Sequence, residues 1–189
     1  FMGPKGFWKN VYEPLIRRTA GLGKPPREFK SKSIHLHHNI DILIVGGGLA
    51  GLLAAKKLAG TDQDVLLVER DNNLGGILRN SNKIKYIDGQ KSADWIEKTE
   101  WLLKSANNIK ILKNTTVTTY NYKDHLIAIE DKTVGTPPDN NKPELVMHKI
   151  RTKHTVLANG YIERFLSFRN NDLPGVMLAA SFEKYIHRY

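Results

Sequence analysis

Asp41-Ile42-Leu43-Ile44-Val45-Gly46-Gly47-Gly48-Leu49-Ala50-Gly51-Leu52-Leu53-Ala54-Ala55 reads as a strand, a glycine turn and the start of a helix. Ile42 to Val45 is wholly apolar, as a strand buried on both faces must be, and that is the habit of parallel sheets. Three glycines break it. Leu49 to Ala59 then carries strong helix formers and stops at Gly60. Val65-Leu66-Leu67-Val68 is a second apolar strand. Residues 41 to 68 therefore spell a βαβ unit with a right-handed crossover.

Gly46-Gly47-Gly48-Leu49-Ala50-Gly51 fits G-x-G-x-x-G, and it lies between strand and helix as that pattern requires. Gly46 permits the tight turn, Gly48 leaves room for a pyrophosphate, and Gly51 lets the helix pack closely. The amides at the helix start, at Leu49 and Ala50, face the phosphates with the helix dipole behind them. Glu69 closes the second strand, where a carboxylate accepts bonds from ribose hydroxyls. It also repels a 2′-phosphate, which favours the non-phosphorylated cofactor. Arg70 beside it can lie over the adenine, meet a 2′-phosphate, or stand as a solvated surface side chain. Gly75-Gly76 and Ala158-Asn159-Gly160 offer further close approaches to a dinucleotide. Val117 completes the set of candidate contacts. No catalytic residue and no metal ligand set can be assembled.

Outward from this unit, residues 91 to 106 read as an amphipathic helix, with Trp95, Ile96, Leu102, Leu103 and Ala106 on one face. Trp95 and Trp101 read as core. Ile109 to Leu112 is expected as a third parallel strand. The period then changes to two, and 117–122, 125–130 and 144–151 read as antiparallel strands, with Lys123-Asp124 as a turn and 135–143 as a loop. Lys153 to Ala158 returns as an apolar strand, and a helix begins beyond Pro174. Residues 1–40 read as a basic lead-in and linker, with a short helix opened by Pro14 and closed by Gly21 and Gly23. The dinucleotide-binding domain is expected over 41–189. His35, His37 and His38 offer only imidazole, and no nearby carboxylate completes a metal set.

The composition, at 40% apolar and 25% charged over 189 residues, is that of a globular chain of about one domain. With no Cys, disulfides, thiolate metal sites and redox Cys pairs are excluded from this stretch. The charge-free apolar run 42–55 is shorter than the about 20 residues of a membrane span. No signal-peptide pattern opens the chain, and a cytoplasmic location is expected. The net charge is +10. Residues 1–38 hold 8 basic and 2 acidic side chains, so more than half of it sits there. A basic arm suits an acidic partner subunit; no aromatic-interleaved basic stripe points to nucleic acid.

Three stretches carry a family resemblance. Tyr12-Glu13-Pro14-Leu15-Ile16-Arg17-Arg18-Thr19-Ala20-Gly21-Leu22-Gly23 and Ile150-Arg151-Thr152-Lys153 are the first two. The strongest runs from Glu163-Arg164-Phe165 through Asn170-Asn171-Asp172-Leu173-Pro174-Gly175-Val176-Met177. They resemble the alpha subunit of heterotetrameric sarcosine oxidase, with Phe165 where that family has Pro and Asn159 where it has Thr.

The resemblance implies an α/β fold: an FAD/NAD(P)-binding Rossmann-like parallel sheet with an antiparallel β-meander, as an incomplete N-terminal part of a larger fold. It implies NAD as cofactor and other subunits of a hetero-oligomeric oxidase as partners. It also implies a complex that oxidises sarcosine to glycine with tetrahydrofolate as one-carbon acceptor, and hence an oxidoreductase acting on CH–NH donors. Carried over, Gly46, Gly48, Gly51, Glu69, Gly75 and Gly76 would touch the dinucleotide. An FAD-binding subunit of a related amine or proline dehydrogenase, and a noncatalytic assembly module with a structural nucleotide site, stay open beside it.

Overall fold

The computed structural model describes residues 6–21, 33–80, 84–121, 124–135 and 144–188. The chain divides into two units, Phe1–Ser31 and Lys32–Tyr189. In the first, a π-helical turn, Trp8–Tyr12, runs into helix α1, Glu13–Thr19, with Pro14 in its opening turn. Pro fits there because its missing N–H would have had no intrahelical partner. Glu13 accepts a bond from Arg17 one turn on, at 3.0 Å. Gly23 lies outside the described residues.

The second unit is built on a six-stranded sheet. Its strands are β1 (Ser33–Val45), β2 (Val65–Val68), β5 (Ile109–Leu112), β6 (Thr115–Asn121), β7 (His125–Asp131) and β8 (Leu145–Leu157), in the order β5-β2-β1-β8-β7-β6. β1, β2, β5 and β8 run parallel; β6 and β7 are antiparallel to their neighbours. Helices α2 (Leu49–Leu58) and α4 (Ser92–Ser105) supply the crossovers. A short helix α3 (Ile77–Asn80) and a hairpin, β3 (Tyr86–Ile87) and β4 (Gln90–Lys91), lie between them. Helix α5 (Ala179–Arg188) comes last.

Two cores flank the parallel strands. On one face Ile44, Val65 and Leu67 meet Leu52 and Ala55 of α2 and Trp95, Ile96 and Leu103 of α4. On the other, Leu43, Leu66 and Val68 meet Leu126 and Ala128 of β7 and Ile150 of β8. The alternation follows from the pleat, since consecutive side chains of a strand point to opposite faces. Apolar runs in β1 and β2 are what two covered faces demand. Asn108 ties the end of α2 to the sheet: its Nδ2 donates to the carbonyls of Leu58 and Gln63, both at 2.9 Å, and its Oδ1 accepts from Gly60 N at 3.0 Å.

Several elements differ from the sequence expectation. β1 begins at Ser33, so residues 33–40 are strand where a linker was expected. Their pairing with residues 145–152 is the reason, because a distant strand supplies the hydrogen bonds that make the segment extended. The segments 144–151 and 153–158 are one strand, with β7 on one side and β1 on the other. β6 starts at Thr115 and carries a bulge between Val117 and Thr119. The β3–β4 hairpin turns on Asp88-Gly89, both at positive φ, as a type I′ turn needs. Trp95 is core as expected, but Trp101 is exposed, because it lies on the solvent side of α4. Lys123 and residues 136–143 lie outside the described residues.

Candidate functional site

The parallel strands end together, at Val45, Val68, Leu112 and Leu157. From β1 the chain winds one way through β2 to β5, and β8 sits on the other flank of β1. The strand order therefore reverses between β1 and β8. Ligands of open α/β sheets bind in the crevice outside that reversal. Gly46 stands at the end of β1 and Ala158 at the end of β8, with Ala158 N donating to Val45 O at 2.8 Å.

The glycines at this edge differ in what surrounds them. Gly46 turns at φ +104, and a Cβ there would come within 2.4 Å of Ala158 O. A Cβ on Gly51 would lie 1.9 Å from Gly46 O, so α2 can start this close to the loop only without a side chain. Gly48 is the opposite case: a Cβ there would meet nothing within 4 Å. The space outside Gly48 is open, and Gly48 immediately precedes the first turn of α2. Leu49 and Ala50 form that turn, and the first intrahelical bond is Leu52 N to Gly48 O, 2.9 Å. Donors ahead of that bond lack an intrahelical acceptor and suit an anion.

Glu69 is half-buried and organises the loop. Its Oε2 accepts from Gly47 N at 2.5 Å, and its Oε1 accepts from Asp71 N at 2.8 Å. A carboxylate has about four lone-pair sites, so acceptor capacity remains for sugar hydroxyls. Gly75 N donates to Gly47 O at 2.8 Å, and Gly76 packs against Gly48, its virtual Cβ 3.2 Å from the Gly48 Cα. The segment after β2 is thereby laced to the glycine loop.

The structure thus brings Gly46, Gly48, Leu49, Ala50, Gly51, Glu69, Gly75, Gly76 and Ala158 to one edge. Gly160 follows on the exposed start of the tail. Arg70 points to solvent, 69% exposed, with Nε 3.8 Å from Asp71 Oδ1. Val117 is half-buried on β6, packed against the core between the parallel strands and the meander. It follows two residues after Thr115, whose amide bonds Glu69 O at 2.9 Å. Sequence reasoning missed Gly47 and Leu74. A Cβ on Gly47 would lie 2.6 Å from Leu74 Cδ2 and 3.1 Å from Glu69 Oε2, so a side chain here would have to displace both. The three consecutive glycines were the available signal; the buried Leu74 gave none.

Residues 44–96 match the model of the NAD(P)-binding Rossmann-like domain. Across the whole chain, 34% of residues are identical to sarcosine oxidase subunit alpha of Rhizobium meliloti (strain 1021). Over 82% of the chain, 37% are identical to sarcosine oxidase subunit alpha of Corynebacterium sp. (strain P-1). The chain is a relative of sarcosine oxidase subunit alpha. It spans 19% and 16% of the lengths of those two alpha subunits, and matches an N-terminal portion. Among solved structures, L-proline dehydrogenase from P. horikoshii matches 80% of the chain and 28% of its own, with TM-score 0.53 and 25% identity. Like the alpha-subunit relatives, it is named as an oxidoreductase. The Rossmann-like fold with its meander and a dinucleotide site are what these likenesses and the geometry share. Among the described residues, no helix is long and apolar enough to cross a membrane.

Proposed function

We propose that this chain is the dinucleotide-holding portion of a sarcosine-oxidase-like alpha subunit, with NAD as the cofactor. The observation that carries the reading is the open space at Gly48, at the strand-order reversal, between the start of α2 and the loop that Glu69 holds through Gly47 N. The residues present fit the group. Amides at 49 and 50 receive the diphosphate, Glu69 receives the adenosine ribose, and Gly76 and Ala158 leave the walls low. Bound there, a nicotinamide dinucleotide supplies hydride transfer. The chain's own part is to bind and orient it. Arg70 and Val117 complete the proposed contacts on the adenine side, and Gly160 on the side of β8.

In this reading the chain works with other subunits of a hetero-oligomeric, cytoplasmic oxidase. The complex oxidises sarcosine, a CH–NH donor, to glycine and passes the methyl carbon to tetrahydrofolate. The residues before β1 act as the basic lead-in of the dinucleotide domain. The likeness to L-proline dehydrogenase favours a second reading, FAD in the same space within an amine or proline dehydrogenase. The glycine loop and Glu69 serve the ADP moiety of either cofactor. Mass spectrometry of the ligand released from the purified protein tests both. NAD supports the first reading and FAD the second. A protein that assembles with its partner but takes up neither supports a noncatalytic assembly module.

A further inference from the structure

Away from the glycine loop, toward the other end of β1 and β8, three ionisable side chains meet inside the sheet. His38 Nε2 lies 2.8 Å from His148 Nδ1, and His148 Nε2 lies 3.0 Å from Glu130 Oε2. The two imidazoles stack with centroids 5.1 Å apart. His148 is buried, at 1% exposure, and Glu130 nearly so. Lys132 Nζ closes the row at 2.5 Å from Glu130 Oε1. Three strands contribute: His38 from β1, His148 from β8 and Glu130 from β7.

Hydrogen-bond arithmetic limits the protons this row can hold. Each neutral imidazole has one donor and one acceptor, and each imidazolium has two donors. With His148 Nε2–H donating to Glu130, His148 Nδ1 accepts from His38 Nε2–H, and every group is satisfied. A proton added to His38 puts a positive charge at a half-buried position, with Lys110 of β5 and His37 as neighbours. Among the described residues, the anion of the row is Glu130, which lies beyond His148 and already meets Lys132. A charged His38 imidazole is better served by water, which draws it away from His148 and loosens the side-chain bond between β1 and β8.

We infer that His38, His148 and Glu130 form a proton-operated latch, which fastens the first half of β1 to β8 and β7 near neutral pH and releases it on acidification. The inference is independent of the cofactor. Burial, followed by Lys110, His148 and His37, holds the His38 imidazole below its ordinary value. The folded chain therefore takes up this proton at lower pH than the unfolded chain does. The stability the latch contributes is whole above the ordinary imidazole value and declines as pH falls through it toward the folded value. Both strands run on from the latch to the crevice, β1 to Gly46 and β8 to Ala158.

Hydrogen exchange of the whole protein tests this, at about pH 7.5 and about pH 5, with exchange times scaled for the intrinsic rate. Protection of residues 34–39 is expected to fall about tenfold or more at the lower pH, while residues 65–68 in β2 change by less than about twofold. His38→Gln keeps a polar side chain at the half-buried end and removes its titration, so the difference between the two pH values should shrink to that of β2. Equal protection of 34–39 at both pH values in the unsubstituted protein overturns the latch. So does an undiminished acid response in His38→Gln.

Discussion

β1 and β8 lie side by side for their whole length, yet their two ends are built on opposite principles. At the carboxyl end the chain removes side chains: Gly46 and Gly51 let backbone pack against backbone, and Gly48 faces open space. At the other end it inserts the most demanding polar side chains it has, His38, His148 and Glu130, each satisfied by the next. A recognition edge needs donors fixed by the fold and space outside them. A fastening between strands needs partners that fill the space and leave nothing unpaired. The two ends should accordingly fail in different ways when altered.

The largest effect is expected at Gly51. Gly51→Val drives a side chain into the Gly46 carbonyl, and since backbone must move, the loss of stability should exceed the about 1–3 kcal/mol typical of overpacking. Denaturant unfolding reads it. Leu67→Ala, in the core that supports the same edge, should cost about 2–5 kcal/mol by the same measurement. Gly48→Val separates support from recognition. Its side chain meets open space, so stability should change by less than about 1 kcal/mol while dinucleotide affinity, by calorimetric titration, falls at least about 100-fold. A Gly48→Val protein that binds normally would remove the site. Glu69→Ala should weaken binding by about 1–3 kcal/mol, and it should also lower stability because Gly47 N and Asp71 N lose their acceptor. Arg70→Ala should be the mildest, within about 0.5 kcal/mol in stability, because the side chain is largely in water.

The same contrast explains what could be read from the residues. The glycine edge is local: strand, loop, helix and second strand all fall within 41–69, and each constraint appears as a residue type at a fixed spacing. The βαβ unit, α4 and the meander were legible for that reason. So was the place of Glu69, though its grip on Gly47 N was not, because a loop amide leaves no mark in the sequence. The latch was illegible. His38 and His148 stand 110 residues apart, and only the pairing of β1 with β8 brings them together. The same pairing turned an expected linker into strand. Asp88-Gly89 is a different case, a turn signal present in the sequence and passed over. Val117 is half-buried against a core and Arg70 faces solvent, and the spacing of the glycine motif marks neither environment.

β8 enters the sheet between β1, more than a hundred positions earlier in the chain, and β7, its immediate predecessor. Until β8 seats, the sheet ladder is broken in two: three parallel strands with their helices, and a hairpin. As a nascent chain emerges, the glycine turn is made early, but the wall opposite it, at Ala158, arrives late. Such long-range closure is slow, and it leaves the open edge of β1 available to wrong partners in the meantime. Nucleotide retention in a truncated or freshly synthesised protein would thus report whether that last strand has gone in.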